Sequence, residues 1–245
     1  MLTRRRMPAL LLALAAGAVQ AGQALPAFKA SYELSRGSMK IGNATIEFST
    51  GANGSYTYKS RSWPVRWVAW FLKDKRYETS RGKLTASGIR PDKYRYQRTG
   101  GSSEREAELT FDWRTMRVHN DVEDSKWEMD IPAGTLDKLV AQLGMMYALA
   151  DGRTDVTFNI ADGGKLKDYR FKVVGEETVE TPAGTFDTVK VARLRDDNKR
   201  ETFVWCAPEL HYLPVRIWQR DKDDAEYQSD LESFSAALKT AGGTR

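Results

Sequence analysis

Side chains able to do chemistry are few in this sequence, and their spacing is loose. Cys206 and His211 stand five residues apart in "CAPELH". A thiol beside an imidazole can serve as nucleophile and base, or as half of a metal site. Both uses need partners that the flanking sequence does not supply. Cys206 also follows the strand-like run "TFVW", which predicts a small buried apolar group. Carboxylates gather at Asp121, Glu123 and Asp124, and again at Asp221, Asp223 and Asp224. Neither group has the spacing or the central glycine of a calcium loop, so both read as solvated turns. A pair of distant acids could still hydrolyse a glycoside, but nothing selects such a pair. The other histidine, His119, has no motif around it. No GxSxG elbow, HExxH helix or phosphate-cradling glycine loop occurs. The sequence therefore predicts no catalytic residue, no metal ligand and no cofactor.

Residues suited to apolar contact are more conspicuous. "WPVRWVAWFLKDKR" (63–76) packs three of the seven tryptophans into eight residues, followed at once by a basic cluster. Helical spacing would place Trp63, Trp67 and Trp70 on one side with Phe71 alongside. The run is too short to span a bilayer. It could plug one end of the fold, form a ligand rim, or rest on a membrane surface with Lys73, Lys75 and Arg76 meeting headgroups. Met145 and Met146 add adaptable apolar surface. Trp63, Trp67, Trp70, Phe71, Met145 and Met146 are accordingly the candidate ligand-binding residues.

The elements that must position these residues are mostly strands. "FKASYEL", "ATIEF", "AELTFDW", "VTFNI", "YRFKVV" and "YLPVRIW" alternate apolar and polar side chains. Period two gives one dry face and one wet face, the signature of antiparallel sheet. "GANG", "TGGS", "ADGG", "TPAG", "DDNK" and "DKDD" supply turn chemistry between the runs. Roughly a dozen strands are expected, in a single mainly-β barrel, half-barrel or sandwich. One segment differs. "GTLDKLVAQLGMMYALADG" spaces Leu136, Leu139, Val140, Leu143, Met146 and Tyr147 as one helical face. Thr135 is a plausible N-cap and Asp137 suits a first turn. An amphipathic helix over about 135–149 should therefore pack on the sheet and cover its concave side.

The N-terminus reads as an export signal. Arg4 to Arg6 precede the apolar run Ala9–Val19, and small residues offer cleavage near Ala21 or Ala24. The expected organisation is a cleaved signal peptide (1–24), one β-rich domain (25–238) and a disordered tail (239–245). No later segment is long and apolar enough to be transmembrane. The leader carries three of the 38 basic residues and none of the 33 acidic ones, so its removal lowers the net charge from +5 to +2. That balance leaves no footprint for nucleic acid. A single cysteine cannot form an internal disulfide, so stability must come from packing.

The second half carries a recognisable pattern. "ADGGKLKDYRFKVVGEETVETPAGTFDTVKVAR" followed by "ETFVWCAPELHYLPVRI" closely resembles the bacterial exported family DUF3108. "YETSRGKLTASGIRPDKYRYQR", "AELTFDW" and "IPAGTLDKLVAQL" agree with it in order. The resemblance spans about residues 27–235. It implies a single antiparallel β-domain of the cell envelope with no established activity, and so transfers no catalytic residues. The expected product is a periplasmic protein of a Gram-negative bacterium, without enzymatic activity. It is expected to bind a lipid or other hydrophobic molecule in a concave β-barrel cavity. Two alternatives stay open: an interaction protein that binds an envelope partner through loops or strand edges, and an enzyme whose site assembles from distant residues.

Overall fold

The computed structural model describes residues 25–70, 73–101, 104–123, 125–195 and 200–236. The expected signal peptide and C-terminal tail lie outside the described residues. Eight strands run first as a meander: β1 (Phe28–Arg36), β2 (Met39–Thr50), β3 (Ser55–Pro64), β4 (Lys75–Thr85), β5 (Gly88–Thr99), β6 (Arg105–Asp112), β7 (Arg117–Val122) and β8 (Ser125–Asp130). The chain then lays down a two-residue strand, β9 (Leu136–Asp137), and a helix, α1 (Ala141–Ala150). A second meander follows: β10 (Asp155–Asp162), β11 (Lys165–Thr181), β12 (Gly184–Leu194), β13 (Arg200–Ala207), β14 (Leu213–Asp221) and β15 (Glu226–Ala236). One fifteen-stranded sheet results, ordered β8 to β1 and then β15 to β9. β1 joins the two meanders by pairing with both β2 and β15. Every pairing is antiparallel except that of β9 with β10.

Period-two alternation decides which face is dry. Phe28, Ala30 and Tyr32 of β1 are buried with Ile46 and Phe48 of β2 and Tyr56 and Tyr58 of β3. Successive side chains of a strand point to opposite faces, so the apolar set of each strand meets that of its neighbours on the concave side. Aromatic contacts tie this wall together: Phe28, Phe48 and Tyr58 have ring centroids 5.6–6.3 Å apart. Fifteen strands form where the alternation predicts about a dozen. β7 and β8 add to the count although their six-residue stretches are largely polar and exposed.

The sheet curls but does not close: β8 and β9, its two ends, share no ladder. β8 touches the second meander at one corner. The Trp127 indole N–H of β8 donates to the Gly164 carbonyl in the β10–β11 turn at 3.2 Å. Gly164 is required there twice over. Its φ is +72°, and a Cβ would sit 1.7 Å from Trp127 Cζ2.

The helix departs from its sequence expectation. It starts at Ala141, six residues later than the spacing suggests, and it is not amphipathic. Leu143, Met145, Met146, Ala148 and Leu149 are all buried, and Ala150 alone is exposed. The reason is topological. β9 already pairs with β10 before the helix begins, and the pair is parallel, so α1 is the crossover between two adjacent strands and must lie over a face of the sheet; it takes the concave one. Thr135 is no N-cap; its hydroxyl donates to the Pro132 carbonyl at 2.8 Å. Asp137 does cap backbone amides, but one turn ahead of the helix. Its Oδ1 accepts from the N–H groups of Leu139 (2.9 Å) and Val140 (3.0 Å).

Candidate functional site

Because α1 occupies the hollow of the sheet, the room that remains lies beside it. At the end of the strands where β4 turns into β5, a cleft of about 690 Å³ opens between that hairpin and α1. Leu84 and Ile89 face each other across the hairpin, and Leu136, Tyr147 and Phe158 complete an apolar lining. Asp151 and Arg153, ion-paired at 3.6 Å, add a charged margin. Gly144 sets the width. A Cβ on it would meet Leu136 Cδ1 at 3.0 Å and Phe158 Cζ at 3.2 Å, so the helix approaches β10 only because this residue lacks a side chain. The volume falls in the range of small-molecule sites, and the mixture of aliphatic and aromatic walls suits an apolar ligand.

A second concavity, of about 600 Å³, lies at the opposite end of the strands. Arg200 and Arg220 line it, but they are engaged by Asp221 (2.5 Å) and Glu201 (2.6 Å). Its walls are mainly charged, which makes it unsuited to apolar molecules.

Between these ends runs a buried polar array that fixes α1. Ser80 donates to Asp137 Oδ2 at 2.5 Å, and the Ser80 and Tyr56 hydroxyls lie 3.0 Å apart. Burial pushes the Asp137 carboxyl up to about 6, outweighing the hydrogen bonds from Ser80, Val140 and Leu139 that favour its charged form. Next to it, Glu78 accepts from the Tyr94 hydroxyl at 2.5 Å and pairs with Lys138 at 3.1 Å. The Lys138 ammonium lies 4.4 Å from the Tyr96 ring centroid. Burial, together with the Glu78 charge, holds the Tyr94 hydroxyl far above its ordinary value, so it stays a donor. A raised carboxyl within a cluster of titratable groups can mark an active site. Here Asp137 and Ser80 are wholly buried, and both Asp137 oxygens are already engaged. The geometry is that of a bolt between β3–β5 and the segment leading into α1.

The structure separates the five candidate ligand-binding residues that it describes. Met145 and Met146 are core residues of α1, 3% and 1% exposed. Trp63 sits near the end of β3, and Trp67 and Trp70 lie in the β3–β4 connection, at the end of the strands opposite the cleft. Among its described residues the β3–β4 connection holds one short 3₁₀ turn, Val68–Trp70, of which only Val68 is buried. Phe71 lies outside the described residues. Cys206 is completely buried, which pushes its thiol up and disfavours the thiolate. His119 lies beside Glu128 at 2.8 Å on the exposed β7–β8 surface, and His211 occupies a left-handed turn with φ of 56°. Among the described residues no three His, Cys, Asp or Glu side chains gather as a metal would need. Leu84, Ile89 and Phe158 escape sequence reasoning because each is an ordinary apolar position of a strand or hairpin. Only the pairing of distant strands around α1 makes them one surface.

The profile of a family described as protein of unknown function, DUF3108, matches residues 31–231. No curated protein matches the chain. Among solved structures, a β-barrel-like protein of domain of unknown function DUF1849 from Brucella abortus superposes with a TM-score of 0.57. It is 12% identical, covering 87% of this chain and 99% of that one. The likeness is one of fold. A candidate lipoprotein from Parabacteroides distasonis has a TM-score of 0.36 and 12% identity over 87% of this chain and 100% of that one. A candidate exported protein with a YmcC-like fold from Bacteroides fragilis has 0.32 and 10%, over 85% and 95%. Neither of these two is close enough to carry an argument.

Proposed function

The chain belongs to the DUF3108 family, and we propose that it is a non-enzymatic periplasmic protein of the cell envelope that binds a lipid or other hydrophobic molecule beside α1. The observation that carries this reading is the 690 Å³ cleft walled by Leu84, Ile89, Leu136, Tyr147 and Phe158. Apolar surface left open to water at that scale gains free energy when an apolar ligand covers it, at roughly 25 cal/mol per Å². The export-type leader expected at residues 1–24 supports placement in the envelope. The buried polar array supports a rigid, preformed wall, which lowers the entropic cost of binding.

Native mass spectrometry of protein purified from cells should show a bound lipid-sized adduct. A fluorescent fatty-acid probe should report the same site in titration. Ile89→Arg places a charge in the cleft and should weaken probe binding about tenfold or more, given what burying an unpaired charge costs. Absence of both adduct and probe binding, or equal binding by the Ile89→Arg protein, would refute the reading.

A further inference from the structure

The end of the strands opposite the cleft carries an unusual concentration of exposed apolar surface. Seven large apolar side chains are exposed among the described residues, and six of them lie at that end: Met39, Trp63, Trp67, Trp70, Tyr77 and Leu166. Trp67 is 50% and Trp70 81% exposed, which is rare for indoles with a core available to receive them. The remaining one, Val174, sits within the long strand β11, away from either end. Exposed apolar surface grouped in this way marks an interaction site.

The loop that presents the two tryptophans is anchored on both sides. The Val65 N–H donates to the Ile41 carbonyl at 3.0 Å and the Ala69 N–H to the Val65 carbonyl at 2.9 Å. Val68 tucks inward. At the other side of the loop Asp74, its side chain only 6% exposed, binds Arg98 at 2.7 Å and Arg76 at 3.1 Å. Gly100 lets the β5–β6 turn close on Lys73; a Cβ there would lie 2.4 Å from the Lys73 carbonyl oxygen. Trp67 and Trp70 are therefore held outward by the backbone around them.

Charge selects the partner. The one acid of the connection, Asp74, is consumed by its two arginines. Arg66, Lys73 and Lys75 are exposed and have no acidic partner among the described residues. Outward-facing indoles ringed by cations match the interfacial zone of an anionic bilayer, where the indole ring sits at headgroup depth and the cations meet phosphate. Trp67 and Trp70 are exposed, and neither lines the cleft. A flat, laterally fluid surface suits them better than a shaped protein groove. We propose that this end of the sheet docks on an anionic membrane surface through Trp67 and Trp70, assisted by Arg66, Lys73 and Lys75. Docking leaves the cleft pointing away from the bilayer. The proposal does not depend on the cleft holding a ligand.

The test uses the protein as cells export it. Vesicles of equal parts phosphatidylglycerol and phosphatidylethanolamine should sediment it, weakly at high salt, and should shift its tryptophan emission to the blue. Trp67→Ser/Trp70→Ser should weaken that binding about tenfold or more and abolish most of the blue shift, with an unchanged melting temperature. Lys73→Glu/Lys75→Glu should remove the preference for anionic over purely phosphatidylcholine vesicles. The cleft variant Ile89→Arg should dock as the parent does, which separates failure of the ligand reading from failure of this one. Equal sedimentation of parent and double-tryptophan variant would overturn the proposal. So would no sedimentation of the parent at all, or crosslinking of Trp70 in cells to one protein with no vesicle binding.

Discussion

Residues 135–150 and 63–76 are both rich in large apolar side chains, yet Met145 and Met146 are sealed in the interior while Trp67 and Trp70 face outward. Hydrophobicity alone would bury both. Connectivity separates them. β3 and β4 are antiparallel hydrogen-bonded neighbours, so the chain between them can close a hairpin at the end of the strands without crossing a face of the sheet. β9 and β10, which flank α1, pair in parallel, so the chain between them must cross over a face of the sheet, and α1 takes the concave one. A run that crosses the interior is buried on all sides. A run that closes a hairpin is left at the rim, and its apolar content is then available for contacts outside the molecule.

Substitutions should follow that division. Leu143→Ala, which empties a wholly buried site on α1, should cost about 3 kcal/mol in chemical denaturation. A loss under about 1 kcal/mol would mean that α1 is a loosely held lid and not the centre of the core. Asp137→Ala should cost nearly as much, about 2–3 kcal/mol, because it strands the amides of Leu139 and Val140 and removes one of the Ser80 hydroxyl's two hydrogen-bond partners. Gly164→Val should cost about 2 kcal/mol, through both the left-handed backbone and the clash with Trp127. It should also raise hydrogen exchange in β8 before the rest of the sheet.

The pH dependence of Asp137 sharpens the comparison further. Its folded carboxyl lies at about 6 against 3.8 when unfolded, so between those values the native state holds more protons. Stability from this group therefore rises as pH falls from about 6 to 4, and the penalty is fully present above pH 6. The span corresponds to about 3 kcal/mol. Asp137→Asn should erase that contribution. The difference between parent and variant stability curves should slope across this window and flatten above it. The smallest effect belongs to the rim. Trp67→Ser with Trp70→Ser should change folding stability by less than about 0.5 kcal/mol, because both side chains are already exposed. A large loss there would show the rim to be part of the core.

Much of the architecture is legible in the residues. Alternation at Phe28, Ala30 and Tyr32, at Ile46 and Phe48, and at Leu109 and Phe111 names the buried face, because a strand's period is fixed by its backbone. Turn residues mark the hairpins for the same local reason. β7 and β8 are harder to see, since as the outer strands of their meander they have little apolar surface to bury. The helix is visible as a helix, but its start is misplaced. Leu136 and Asp137 pair with Ile160 and Ala161 on β10, and a distant strand can overrule local propensity. The cleft is not legible at all. Leu84, Ile89, Tyr147 and Phe158 come from three separated segments and share a surface only after the sheet curls around α1.

The sequence by itself determined the strand pattern, the family and the one segment that would be helical, because these follow from local geometry and side-chain period. The tertiary structure alone decided which apolar run is buried, where a cleft remains, and that Asp137 is a buried bolt. Those properties depend on which strands end at which edge of the sheet, and that is set by pairings between residues far apart in the chain.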